Sequence, residues 1–84
     1  MRVEFFGISR ERAGLAELEL QAENLGQLLN VLVVQFPSFN EVVQSGRLRS
    51  PFLANLNGDR FISDPATKLN ESDCVLILSA DAGG

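Results

Sequence analysis

Apolar and polar positions alternate from the start of the chain. Along residues 2–8, Val3 and Phe5 fall on one side and Glu4, Phe6 and Ile8 on the other, which predicts a half-buried strand. Arg10–Gly14 reads as a turn, with Gly14 supplying backbone freedom. Glu17-Leu18-Glu19-Leu20-Gln21 alternates again and predicts a second strand, paired with the first as a hairpin. The period then changes. Leu25, Leu28, Leu29, Leu32, Val33 and Phe36 make one apolar stripe at helical spacing, predicting a helix over 24–36. Asn24 can cap its free N–H groups, Gln27 sits where a capping box needs it, and Pro37 ends it. A short second helix or turn is expected after it, with Ser38 as cap, Glu41 three residues on and Gly46 as terminator. Residues 46–51 read as a basic loop carrying Arg47 and Arg49.

Three more extended segments follow. Leu53–Leu56 and Arg60–Ile62 flank Asn57-Gly58, a tight-turn pair in which both residues tolerate positive φ. A polar loop over 63–73, anchored by Leu69, leads to Cys74-Val75-Leu76-Ile77-Leu78, the most apolar run of the chain. Such a run predicts a central strand, covered on both faces or left with one face for a partner. The order ββαββ plus a final β predicts an α+β roll of the β-grasp type. Its mixed sheet has one main helix packed across it, with the last strand beside the first.

Composition narrows the chemistry. The 84 residues are 45% hydrophobic, enough for one core over 1–84, and carry a net charge of −4. That charge argues against nonspecific nucleic-acid binding, which needs basic surface to displace counterions. The chain has no histidine, hence no imidazole base or His-ligated metal site. Its one cysteine, Cys74, cannot form an internal disulfide. Arg2, Glu4, Arg10, Glu11 and Arg12 interrupt any signal-peptide core, and no apolar run approaches a membrane span. The expectation is a cytoplasmic protein without a membrane partner, too poor in catalytic side chains to act as an enzyme alone.

The chain ends Ser79-Ala80-Asp81-Ala82-Gly83-Gly84. Residues 79–84 read as a flexible extended tail of small residues that reaches roughly 20 Å. Two terminal glycines let a narrow channel close around the backbone and present the carboxylate of Gly84. That carboxylate reacts only after activation, which an ATP-using partner can supply by adenylation. A sulfur donor, cysteine or amine can then attack the acyl carbon. No Gly-rich phosphate loop with a lysine is present, so ATP belongs to the partner and no cofactor is expected on this chain.

These features together resemble the small subunit of molybdopterin synthase, the MoaD-like branch of the ubiquitin-like β-grasp sulfur carriers. The resemblance runs nearly end to end. Phe5-Phe6-Gly7 with Arg10-Glu11 and Ala13-Gly14 resembles the family's opening strand and Arg-Glu turn. Leu56-Asn57-Gly58 resembles its Val-Asn-Gly hairpin, Leu69–Val75 its Leu-x-x-Gly-Asp-x-Val segment, and Gly83-Gly84 its ending. Ser72 stands where the family often has Gly, and Ser79-Ala80-Asp81-Ala82 replaces a common Pro-Pro-Val-Ser.

The resemblance implies that an enzyme similar to the ubiquitin-activating ones adenylates Gly84. A sulfur donor system then converts it to a thiocarboxylate. The large synthase subunit would take the tail and carry the catalytic lysines. It also implies a partner interface of Phe6, Arg10, Leu76 and Leu78, continued by Ser79, Ala80, Asp81 and Ala82. Period two supports part of this: if Val75 and Ile77 face the helix, Leu76 and Leu78 point away toward Phe6. The bland alternative is that loop 38–52 covers them. Arg10 either pairs with an acidic partner group or is solvated, and Arg47 and Arg49 read as a solvated loop. Cys74 reads as an inert strand thiol. A carrier for cysteine, thiamin or tRNA sulfur, a ubiquitin-like modifier and a non-catalytic binding module stay open beside the molybdopterin reading.

Overall fold

The computed structural model describes residues 1–80. β7 (Cys74–Ser79) is the centre of a five-stranded mixed sheet of order β2-β1-β7-β5-β6. β1 (Arg2–Phe5) runs parallel to it on one side, and β5 (Phe52–Leu56) antiparallel on the other. β2 (Glu17–Glu19) and β6 (Arg60–Ile62) form the edges. Pairing of Val3 with Val75 and of Ala54 with Ile77 sets the register, so every second residue turns inward. Val3, Phe5, Ala54, Leu56, Ile62, Val75 and Ile77 therefore make one buried face.

α2 (Leu25–Gln35) lays Leu25, Leu28, Leu29 and Leu32 against that face. Asn24 accepts from the Gln27 N–H at 2.8 Å, and the Gln27 side chain reaches past the cap to accept from the Glu23 N–H at 2.6 Å. Loop 63–73 completes the cap. The carbonyls of Thr67 and Pro65 take the N–H groups of Leu25 and Gly26 at 3.0 and 2.9 Å, while buried Leu69 anchors the loop. Beyond Pro37 the chain makes only a 3₁₀ turn (Pro37–Glu41). It packs Phe39 edge-on to Phe5, with ring centres 5.5 Å apart, and so closes one end of the core.

Several sequence expectations change here. The first strand ends at Phe5, because Gly7 adopts φ 67, ψ −132, a conformation open essentially to glycine alone. Residues read as strand end and turn instead form α1 (Ile8–Ala13), with Gly14 left-handed behind it. The second helix or turn expected after α2 is the 3₁₀ turn, which ends at Glu41 rather than running to Gly46. Gly46 turns a small hairpin of β3 (Val43–Gln44) and β4 (Arg47–Leu48), so part of the expected basic loop is strand. Ser79 is buried as the last residue of β7, opposite Phe52, and does not belong to a free tail.

The Asn57 turn and the Asp73 turn, distant in sequence, lock together. Asn57 Nδ2 donates to Asp73 Oδ1 at 2.9 Å, and the Cys74 N–H donates to Asn57 Oδ1 at 2.8 Å. The other carboxylate oxygen, Oδ2, accepts from the Asn70 N–H at 2.8 Å. Asn57 has φ 57, which asparagine tolerates better than most residues. Asp73 is thereby held at the point where β7 begins. Its carboxyl lies below its ordinary range, chiefly through the Asn57 amide and next through the Asn70 N–H.

Candidate functional site

Among the described residues no helix lies across the outer face of the sheet, and apolar side chains flank Asn55 on it. Leu76 and Leu78 alternate outward from β7, half-buried between flanking strands. Leu53 of β5 pairs with Leu78, and Asn55 pairs with Leu76 on one side and Phe61 on the other. Phe6 donates its N–H to the Ile77 carbonyl at 3.1 Å, extending the ladder past β1 and bringing Phe6 abreast of Leu78. Phe6 is 51% exposed, Leu53 36% and Phe61 61%. Residues 38–52 do not cover them: their Phe39, Val42 and Val43 are buried in the core instead.

α1 sets the rim of this patch. Buried Ser9 places its Oγ against the Ile77 and Phe6 carbonyls, donating to one at a time, and accepts from the Phe6 N–H at 3.2 Å. One serine therefore pins α1 to β7 at the root of the site. Phe6 and Arg10 end up on the same shallow groove of about 610 Å³, together with Gly7, Leu15 and Ala16. Arg10 is exposed and makes no ion pair among the described residues.

The structure thus gathers Phe6, Arg10 and Leu78 at one end of the sheet, with Leu76 on the same face at mid-strand, paired with Glu4 and Asn55. Ala80 stands at the same end, exposed, with its N–H bonded to the Pro51 carbonyl at 3.0 Å. Asp81, Ala82, Gly83 and Gly84 lie outside the described residues. Cys74 is at the far end of β7, paired with Arg2. Burial pushes its thiol up, against the pull of the Arg2 guanidinium. Arg47 and Arg49 are exposed on and beyond β4.

Sequence reading missed Leu53 and Phe61. The signal was present: with Ala54, Leu56 and Ile62 inward, period two turns Leu53 and Phe61 out. Two edge-flanking hydrophobes on short strands read as core until the register is known.

A central strand parallel to the first, one long helix across the inner face and an apolar outer face define a ubiquitin-like β-grasp protein. The backbone resembles that of the molybdopterin synthase small subunit and its relatives among the ubiquitin-like β-grasp sulfur carriers. Small archaeal modifier protein 1 of Methanosarcina acetivorans matches at 26% identity with a TM-score of 0.80, over 99% of this chain and 94% of that one. CysO in the BexX/CysO complex of Amycolatopsis orientalis belongs to the same neighbourhood: that structure matches at 18% identity, TM-score 0.80, over 99% and 98%. A putative molybdopterin converting factor, subunit 1, from Pyrococcus furiosus matches at 23%, TM-score 0.73, over 93% of each chain. The last two likenesses show the fold. No family model and no curated protein matches the sequence. Among the described residues no helix is long and apolar enough to cross a membrane.

Proposed function

We propose that this chain is a sulfur carrier whose Gly84 carboxylate is the reacting group, and that it serves molybdopterin synthesis as the small subunit of the synthase. The carboxylate attacks the α-phosphorus of ATP on a ubiquitin-activating-like enzyme and releases pyrophosphate. A sulfur donor then attacks the acyl carbon, AMP leaves, and a thiocarboxylate remains. The large synthase subunit takes the tail and holds the catalytic residues, so this chain binds and delivers.

The observation that carries the reading is positional. β7 ends at Ser79 and Ala80 follows it beside the corner formed by Phe6, Leu78 and Leu53, so a partner gripping that corner also holds the chain next to the C-terminal segment. Intact mass of the protein from its native host, under non-reducing and nucleophile-free conditions, tests it. A gain equal to one oxygen exchanged for sulfur, absent when Gly84 is deleted, supports the carrier. An unmodified terminus in cells making the cofactor counts against it.

A second reading, a protein modifier, is favoured by the 26% identity to an archaeal modifier protein. A covalent ladder on denaturing gels would support that one. Delivery to cysteine, thiamin or tRNA sulfur is distinguished by which partner consumes the thiocarboxylate. Full function without Gly83 and Gly84 would leave only a binding module.

A further inference from the structure

β2 and β4 are both edge strands, β2 at the rim of the large sheet and β4 in its hairpin with β3. They read as opposites of one another. Glu17-Leu18-Glu19 is acidic, apolar, acidic, and Arg47-Leu48-Arg49 is basic, apolar, basic at the same spacing. In each triplet the charged residues are exposed and the leucine is half-buried against the core. Glu17, Arg47 and Arg49 make no ion pair among the described residues, and Glu19 reaches only the Met1 α-amine, at 3.7 Å. Charges on an edge strand ordinarily keep edges from pairing. Two edges of opposite charge at one spacing lose that protection toward each other.

The backbone groups are matched as well. The Met1 α-amine donates to the Leu20 carbonyl at 2.8 Å and the Leu20 N–H to the Met1 carbonyl at 3.0 Å, while the Phe5 N–H donates to the Ala16 carbonyl at 2.8 Å. Antiparallel pairs alternate, so Leu18 bonds Val3, and the N–H and C=O groups of Glu17 and Glu19 point to the open side of β2. In the hairpin the Arg49 N–H donates to the Val42 carbonyl at 2.8 Å, so Leu48, opposite Val43, turns its own N–H and C=O away from β3. In a parallel ladder, a residue with both groups facing its neighbour strand bonds the two residues that flank its opposite number. Leu48 of one copy set opposite Leu18 of another therefore donates its N–H to the Glu17 carbonyl and accepts from the Glu19 N–H. That register puts Arg47 beside Glu17 and Arg49 beside Glu19 on one face. Antiparallel pairing through the same groups would set a glutamate opposite Leu48, so the parallel arrangement is the charge-matched one.

We propose that this protein self-associates through β2 of one copy and β4 of the next, in parallel and in that register. Each copy in such a pair keeps one acidic and one basic edge unused, so the contact is heterologous and repeats. Exposed ion pairs contribute little each, and the net charge of −4 opposes assembly, so the association is weak and is lost in salt. It uses none of Phe6, Leu53 or Leu78 and holds whether or not Gly84 is activated.

Sedimentation of the full chain up to millimolar concentration tests this, in about 20 mM and about 0.5 M salt, which bracket the screening of such pairs. In low salt the weight-average mass should climb above that of one copy, and in high salt it should return to it. Glu17→Lys/Glu19→Lys and Arg47→Glu/Arg49→Glu should each associate at least tenfold more weakly alone. An equimolar mixture of the two should associate again, because acid meets base at the exchanged edges. Glu23→Lys/Glu71→Lys alters the net charge as much as the first pair but lies off both strands, and should still associate. In a mixture of isotope-labelled and unlabelled wild-type chain, amide shifts should centre on residues 17–19 and 47–49. That map needs no variant, so it decides the question even where a reversed variant fails to fold. A monomer at every concentration in low salt, undiminished association of either reversed variant, or loss of association in the Glu23 and Glu71 control would overturn the proposal. So would folded variants whose mixture stays monomeric, or shifts centred on Phe6, Leu53 and Phe61.

Discussion

Replacing Asp73 by alanine tests how the tail-bearing strand is anchored. The carboxylate accepts from the Asn57 side-chain amide at 2.9 Å and from the Asn70 N–H at 2.8 Å. Hydrogen bonds to a charged group contribute about 1.5–3 kcal/mol each, and water can reach part of this turn, so loss of both costs roughly 2–4 kcal/mol. For a domain of this size that is a large share of a total on the order of 4–13 kcal/mol. The thermal midpoint should fall by about 4–8 °C per kcal/mol. Urea titration of both proteins should show a lower midpoint with an unchanged slope. The loss has a pH signature. The Asn57 amide and the Asn70 N–H hold this carboxyl below its ordinary range, so its stabilisation is complete above its unfolded pKa of about 3.9. It disappears as pH falls through the lower folded value. The gap between wild type and Asp73→Ala is therefore widest near neutrality and closes in acid. Equal midpoints at neutral pH, or a gap that widens in acid, would refute the reasoning.

Other outcomes follow from the same contacts. Phe6→Ala removes a ring that keeps 51% of its surface exposed; about 100 Å² at 25 cal/mol per Å² predicts roughly 2–3 kcal/mol less partner binding. Titration against the proposed activating enzyme or large subunit measures that loss, and an unfolded circular dichroism spectrum would assign Phe6 to the core instead. Ser9→Ala leaves the Ile77 and Phe6 carbonyls without that hydroxyl donor and should cost about 1–2 kcal/mol in urea melts, with faster amide exchange in α1. Gly7→Ala forces a side chain into φ 67, ψ −132 and should destabilise by about 1–3 kcal/mol, detectable as a lower thermal midpoint. Phe39→Ala empties a fully buried site edge-on to Phe5 and should cost about 3–5 kcal/mol, enough to leave the variant largely unfolded if total stability is at the low end.

Legibility in the sequence followed the range of the forces involved. α2 was readable because its apolar stripe, Asn24 cap and Pro37 stop all act within a few residues. β7 was readable because five consecutive apolar residues can be satisfied only deep in a sheet. The outward turn of Phe6, Leu76 and Leu78 followed from period two once Val75 and Ile77 were placed inside. α1 was not readable: Ile8–Ala13 carries no apolar stripe, and Ser9 finds its partner in Ile77, 68 residues away. Leu53 and Phe61 were missed because their exposure depends on which face of β5 and β6 the pairing of β5 with β7 turns inward.

Two parts of the molecule thus have different origins. Local pattern alone determines the main helix, the central strand, the Asn57-Gly58 turn and the small-residue ending, because capping, periodicity and backbone freedom are properties of neighbouring residues. Tertiary structure alone decides that the Asn57 and Asp73 turns clamp one another, that Ser9 fastens α1 to β7, and that Ser79 is strand rather than tail. It also decides that Phe6, Arg10, Leu53 and Leu78 meet at the end of the sheet where β7 ends. These arrangements depend on strand register and on hydrogen bonds between distant segments, and such partners are chosen only when the whole sheet forms.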